Sequence, residues 1–152
     1  MNFIIDIVKA LMINFPFMIA MLSLAIAQMI KIIYYWNVDG KIDLWHFVEA
    51  GGMPSAHSAM VCSLTMSLGL VNGFSSPFFA LAIIFSIIVM YDAMGVRRLA
   101  GKQALVLNKM IEEGKISSEK LSGLIGHSAL EVFFGGILGI CVAIVMYFLI
   151  YW

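Results

Sequence analysis

The chain has 152 residues, of which 62% are hydrophobic and 12% are charged, and its formal net charge at pH 7 is zero. Soluble domains are about 45–50% apolar, so this composition excludes a soluble globular protein and indicates an integral membrane protein. The balanced charge argues against nucleic acid as a partner, and the length predicts a single membrane-embedded domain over residues 1–152.

The N-terminal part predicts a surface helix followed by a membrane span. Residues 1–12 mix Asp6 and Lys9 with apolar side chains, which is typical of a short interfacial helix or of an extension of the first span. Residues 13–36 are apolar enough and long enough to cross a hydrocarbon core of about 30 Å. The run Tyr-Tyr-Trp at its end marks the headgroup level, about one helical turn above Lys31.

A polar connection over residues 37–52 leads to a second predicted span, residues 54–71. The stretch GGMPSAHSA at 51–59 combines flexible glycines, a proline, two serines and a histidine, a pattern typical of a helix N-terminus that binds an anion. Pro54 is expected at the first helical position, where its missing N–H would have no partner. The many serines and threonines of this span predict packing against other helices.

A tight turn then leads to a third predicted span, which begins at Pro77 and continues to about Val96. Residues 99–125 are the one long polar segment. We expect an amphipathic helix over residues 99–113, a break at Gly114, and a second short helix that begins at Ser117.

The fourth predicted span covers residues 129–152 and carries Gly135 and Gly139 in a GxxxG spacing. This spacing favours close helix packing, either within the chain or in a homo-oligomer. The predicted fold is therefore an all-α integral membrane protein with four transmembrane helices and a cytoplasmic amphipathic helical segment.

Charge bias predicts the orientation of the four spans. Lys9 lies on the side of the termini, whereas the other eight of the nine lysines and arginines lie on the side of the two long connections. The positive-inside rule then places the connections in the cytoplasm. We therefore expect His57, the segment from Asp92 to Arg98, and His127 to meet at one cytoplasmic interface.

The residues expected at this interface are suited to a lipid phosphate. Helix N-termini and fixed positive charges bind phosphate oxygens. The candidate phosphate ligands are Arg97, Arg98, Lys31, Ser55 and Lys102.

Two histidines and two acidic residues supply candidates for the chemistry. His127 and Glu131 are four residues apart and are expected to share a helical face, where the carboxylate would orient a nucleophilic imidazole. His57 is the candidate general acid. Asp92 either takes part in the site or neutralises an arginine.

Three blocks of sequence resemble the phosphatidic acid phosphatase type 2 and vanadium haloperoxidase superfamily, and specifically its divergent bacterial and plant branch. They are PSAHSA at 54–59, YDAMGVRRLAGKQALVLN at 91–108, and GHSALEVFFGGILG at 126–139. The resemblance implies a phosphohistidine mechanism. His127 would attack phosphorus, Glu131 would orient it, and His57 would protonate the leaving group.

The chain departs from the family pattern at four points. Ala56 replaces the motif glycine, Glu131 replaces an aspartate, and no Arg-Pro pair follows Lys31. Arg98 precedes His127 by 29 residues, so the intervening segment would have to fold back over the pocket.

These observations predict a phosphatase for lipid phosphates, with phosphatidylglycerophosphate, phosphatidic acid or a polyprenyl phosphate or pyrophosphate as substrate. The expected location is the plasma membrane of a bacterium, with the site facing the cytoplasm. No cofactor is required; the alternative is Mg²⁺ held near Asp92 and Glu131. The competing hypotheses are a non-catalytic protein of the same fold that binds or scrambles lipid phosphates, and a small subunit of another membrane protein.

Overall fold

A computed structural model describes residues 2–39, 52–121 and 126–152, and within these ranges the chain is helical without strands. The predicted polar connection, residues 37–52, lies largely outside the described residues. The helices are α1 (Asn2–Met12), α2 (Phe15–Asp39), α3 (Ala56–Asn72), α4 (Pro77–Met94), α5 (Val96–Glu112) and α6 (Ala129–Tyr151). The predicted all-α membrane protein is confirmed.

Three helical segments among the described residues are long and apolar enough to cross a membrane: Phe15–Asn37, Pro77–Glu112 and Ala129–Tyr151. They correspond to the first, third and fourth predicted spans. The second, α3, has 17 residues, which amounts to about 25 Å at 1.5 Å per residue. By length and composition, three of the four predicted spans are therefore supported.

Helix α3 lies at the centre of the bundle and packs against α2, α4 and α6. Its buried positions carry small side chains: Ala56, Ser58, Ala59, Val61, Ser63, Thr65, Ser67 and Gly69. A hydroxyl pair joins α3 to α4, because Thr65 Oγ1 lies 2.7 Å from Ser86 Oγ. The prediction that the Ser/Thr-rich helix packs against other helices is confirmed.

The two glycines of the GxxxG spacing bring α6 against α3. A Cβ atom on Gly135 would overlap the carbonyl oxygen of Ser55, and one on Gly139 would overlap that of Ala59. Both glycines are buried inside the chain. The GxxxG spacing therefore serves packing within the chain, one of the two roles considered for it, and a homo-oligomer stays a prediction.

Serine caps set the starts of three helices. Ser55, Ser76 and Ser128 are the N-caps of α3, α4 and α6. The expectation that Pro54 is the first residue of a helix is wrong. The side chain of Ser55 accepts the N–H of Ser58, so the first helical residue is Ala56, two residues later.

The long polar segment folds back along α5. The side-chain amide of Asn108 donates to the carbonyl oxygen of Leu121 at 2.7 Å, and its oxygen accepts the Leu121 N–H at 2.8 Å. Residues 117–121 are not helical, so the second short helix predicted from Ser117 is not found there. These two hydrogen bonds attach Leu121 to the side of α5.

Candidate functional site

The centre of the candidate site is the pair His127 and Glu131 at the start of α6. Nδ1 of His127 lies 2.9 Å from Oε2 of Glu131, and the histidine side chain is 3% exposed. The two residues do not share a helical face, as the sequence suggested, because His127 precedes the N-cap Ser128. They meet because Glu131 reaches back over the helix start.

A capping box holds Glu131 in place. Its backbone N–H donates to the hydroxyl of Ser128, and its carboxylate accepts the Ser128 N–H, both at 3.3 Å. The S-x-x-E pattern at 128–131 is the sequence signal for this arrangement. One carboxylate thus caps the helix and contacts the imidazole.

This contact selects one tautomer of His127. An ionised carboxylate only accepts hydrogen bonds, so Nδ1 of a neutral ring must carry the proton that Glu131 binds. Nε2 then keeps its lone pair. A histidine in this state is suited to act as a nucleophile or a base.

His57 lies across from this pair in the first turn of α3. The ring centroids of His57 and His127 are 6.5 Å apart. A backbone hydrogen bond fixes the two helix starts to each other, since the N–H of Ser55 donates to the carbonyl oxygen of Glu131 at 3.0 Å. The predicted meeting of His57 and His127 is therefore found in the structure.

The chain returns to Arg98 just before His127. Gly126 has a φ of +96° and lies so close to Arg97 and Arg98 that a Cβ would overlap the backbone N–H group of Arg98. The N–H of His127 donates to the carbonyl oxygen of Ala93 at 3.0 Å. The start of α5 and the start of α6 are thus adjacent, although 29 residues separate Arg98 from His127 in the sequence.

Arg97 is the arginine whose charge acts on the His57 ring. Its Nε donates to Oδ2 of Asp92 at 2.7 Å, and both side chains are partly exposed. Asp92 therefore neutralises an arginine in this structure, one of the two roles considered for it.

The remaining candidate phosphate ligands differ in their surroundings. Lys31 is buried at 1% exposure, and its charge also acts on His57. Ser55 is fully buried, and its hydroxyl accepts hydrogen bonds from the backbone and side chain of Ser58. Lys102 is exposed and lines a separate groove of about 440 Å³ on α5. Lys31 thus lies near His57, whereas direct phosphate contacts by Lys31, Ser55 and Lys102 stay predictions.

Metal ligation has little local support in the described ranges. These ranges contain no group of three or more His, Cys, Asp or Glu side chains that could hold a metal ion. Asp92 pairs with Arg97, and Glu131 pairs with His127. The Mg²⁺ alternative stays a prediction.

A groove of about 610 Å³ adjoins the site and was not foreseen from the sequence. It lies between α2 and α6, and its lining includes Ile30, Tyr34, Pro54, Glu131, Phe134 and Leu138. We call it the α2–α6 groove. Of these six side chains only Glu131 is charged, and the same carboxylate contacts His127.

Comparison with known proteins gives one family and one curated relative. The family model described as "Divergent PAP2 family" matches residues 12–142. The chain is 38% identical over 151 residues to the uncharacterized membrane protein YuiD of Bacillus subtilis (strain 168), and the alignment covers 90% of this chain and 96% of that protein. No solved structure matches the chain.

Proposed function

Since the chain belongs to the Divergent PAP2 family, we propose that it is a membrane lipid-phosphate phosphohydrolase in which His127 carries the phosphoryl group. The observation that supports this most is the buried His127 with Glu131 on its Nδ1 at 2.9 Å. That contact leaves Nε2 as the nucleophilic atom.

The reaction takes place in two steps. In the first, Nε2 of His127 attacks phosphorus, the bond from phosphorus to the ester oxygen breaks, and His57 gives its proton to the departing oxygen. In the second, water attacks the phosphohistidine, His57 takes a proton from that water, and inorganic phosphate leaves. The products are the lipid alcohol and phosphate; a pyrophosphate substrate would leave as a lipid monophosphate.

The separation of the two rings supports this division of roles. In-line transfer needs about 3 Å from the attacking nitrogen to phosphorus, then the length of one P–O bond, then about 3 Å from the leaving oxygen to the proton donor, or roughly 7 Å between the two nitrogens. The ring centroids are 6.5 Å apart, which is of that order. Lys31 and Arg97 add positive charge near His57, as the transferring phosphate requires.

We assign substrates on the cytoplasmic leaflet of a bacterial plasma membrane: phosphatidylglycerophosphate, phosphatidic acid or a polyprenyl phosphate. This orientation follows from the excess of lysine and arginine on the connection side. It also requires α3 to cross the membrane as a fourth span. The packing of α3 against α2, α4 and α6 supports that crossing, because a helix enclosed by three others does not need to be as long or as apolar as one that faces lipid.

The test is phosphate release by the purified protein in lipid vesicles. The wild type should release phosphate from phosphatidic acid or phosphatidylglycerophosphate, continue to do so in EDTA, and form an acid-labile phosphohistidine that maps to His127. His127→Ala should lose all release. Ser76→Ala is the control for stability, because it removes the cap of α4 at a cost of about 1 kcal/mol and lies at the end of α4 opposite the histidines.

Activity of His127→Ala at the wild-type level would overturn the phosphohistidine mechanism, and loss of activity in EDTA would favour the Mg²⁺ alternative.

The second candidate function is lipid-phosphate binding or scrambling without turnover. Two observations favour it: Ala56 is buried in the place of the motif glycine, and Nε of Arg97 is bonded to Asp92. Tight binding of phosphatidic acid with no phosphate released from any lipid would support this candidate instead.

A further inference from the structure

The α2–α6 groove has the shape and composition of a site for a hydrocarbon chain. Its volume of about 610 Å³ lies within the usual range for ligand pockets. Its lining is mostly apolar, and Ile30, Tyr34 and Phe134 are each at least 40% exposed. Because α2 and α6 both qualify as membrane spans, these side chains face the region where lipid lies.

The groove runs from the candidate site toward the middle of the bilayer. On α6, Glu131, Phe134 and Leu138 follow one another at helical spacing, and seven residues correspond to about 10 Å. On α2, which runs in the opposite direction, Ile30 lies one turn, about 5 Å, further from the site than Tyr34. The polar end is at Glu131 and the apolar end is at Ile30 and Leu138.

The polar end also lies beside the charges that would bind a headgroup. Gly52, which lines the groove, is so close to α2 that a Cβ on it would lie 3.5 Å from Cδ of Lys31. The positive charge of Lys31 lies near enough to His57 to act on its ring electrostatically, and the carboxylate of Glu131 contacts His127. A lipid with its chain in the groove would therefore have its phosphate next to both histidines.

We propose that the α2–α6 groove holds one hydrocarbon chain of the phosphate-bearing lipid that reacts at His127. This inference deepens the proposed function and rests on it for the identity of the headgroup. It gives the protein a means of selecting long-chain lipid phosphates over water-soluble phosphate esters. It also identifies the face between α2 and α6 as the side from which the lipid enters.

The first test is photolabelling of the His127→Ala variant in vesicles with two probes that carry the same diazirine-labelled acyl chain, one a phosphatidic acid and the other a diacylglycerol. This variant should not hydrolyse the first probe to the second. Probe molecules in the surrounding bilayer would label every lipid-facing residue, and both probes would do so to the same extent. The phosphatidic acid should label Phe134, Leu138 and Ile30 about tenfold more than the diacylglycerol does, whereas Ile33 and Ile137, exposed on the same helices and outside the lining, should show no difference. Equal labelling of the groove by both probes would overturn the proposal.

The second test fills the groove. Ile30→Trp should raise the apparent KM for a long-chain phosphatidic acid about tenfold and leave hydrolysis of a short-chain, water-soluble phosphate ester unchanged. Ile33→Trp is the matched control, since it adds the same ring to the same helix outside the groove. Equal KM values for the two variants would overturn the proposal.

The two readouts separate this inference from the proposed function. If the wild type releases no phosphate but the phosphatidic acid probe still labels the groove selectively, and Ile30→Trp abolishes that labelling, the site for the chain stands and the phosphatase does not. If phosphate is released but the groove shows neither selective labelling nor an effect of Ile30→Trp, the phosphatase stands and the site for the chain does not.

Discussion

Replacement of Gly139 by alanine should loosen the packing between α6 and α3. The added Cβ would lie 2.9 Å from the carbonyl carbon of Ala59 and 3.0 Å from its Cα, and it would overlap the carbonyl oxygen. These are backbone atoms of helix α3, so they cannot rotate out of the way as a side chain could. Helix α6 would have to move away from α3.

Two opposing effects decide how much Gly139→Ala changes the free energy of unfolding. Overpacking of this kind costs about 1–3 kcal/mol. Alanine is a better helix former than glycine by about 0.5–1 kcal/mol, which offsets part of that cost. We expect Gly139→Ala to lower the free energy of unfolding by about 1–2 kcal/mol. For a protein of this size the melting temperature should then fall by about 2–8 °C.

Gly136→Ala is the matched control, since it lies on the same helix and is also buried. Its Cβ would lie 3.3 Å from Sγ of Cys62, a side-chain atom that can shift. This variant should be as stable as the wild type or slightly more stable. The assay is thermal unfolding in detergent micelles followed by tryptophan fluorescence. If Gly139→Ala unfolds at the same temperature as Gly136→Ala or above it, the inference that α6 contacts the α3 backbone closely at Gly139 is refuted.

Three further predictions follow from individual hydrogen bonds. Glu131→Gln should lower phosphate release by about 10²–10⁴-fold, because the amide no longer stabilises a charged imidazole, and should change stability little, because glutamine also completes a capping box with Ser128. Asn108→Ala should remove the hydrogen-exchange protection of the Leu121 amide, since the side chain of Asn108 accepts that N–H. Thr65→Val should lower the unfolding free energy by about 1 kcal/mol, because its hydroxyl bonds α4 inside the bundle.

Each of these predictions has a control and an outcome that contradicts it. Glu131→Ala should lose stability as well as activity, and full activity in Glu131→Gln would remove the carboxylate from the mechanism. For Asn108→Ala, the control is Lys109→Ala, which changes an exposed neighbour on α5. Equal protection of the Leu121 amide in both variants would refute the hydrogen bonds between Asn108 and Leu121. For Thr65, the control is Thr65→Ser, and unfolding of Thr65→Val at the Thr65→Ser temperature would refute its interhelical bond.

The fold-back of the polar segment explains how this chain departs from the usual spacing of its superfamily. The superfamily pattern has an arginine a few residues before the nucleophilic histidine, whereas Arg98 lies 29 residues before His127. Gly126 closes that gap, because its lack of a side chain lets the backbone lie directly against Arg98. The 29-residue separation therefore leaves the two groups adjacent in space, at the modest entropic cost of a longer loop.

Much of the architecture could be read from the sequence alone. Residues 13–36, 77–96 and 129–152 were recognised as spans because a bilayer demands about 20 consecutive apolar residues, and that demand is met locally. The candidate site residues His57, His127 and Glu131 could also be proposed from the sequence, because they combine titratable groups with predicted helix starts. The family resemblance that these motifs carried is confirmed by the match over residues 12–142.

Only the tertiary structure decided how these residues are used. Glu131 reaches His127 through a capping box and not along a helical face, the hydroxyl of Ser55 caps α3, and Gly135 and Gly139 contact α3. The α2–α6 groove likewise has no sequence signal of its own. The physical reason is the same in each case. Hydropathy and helix propensity act over a few turns, whereas these contacts join segments that are far apart in the chain and depend on how closely the helices approach.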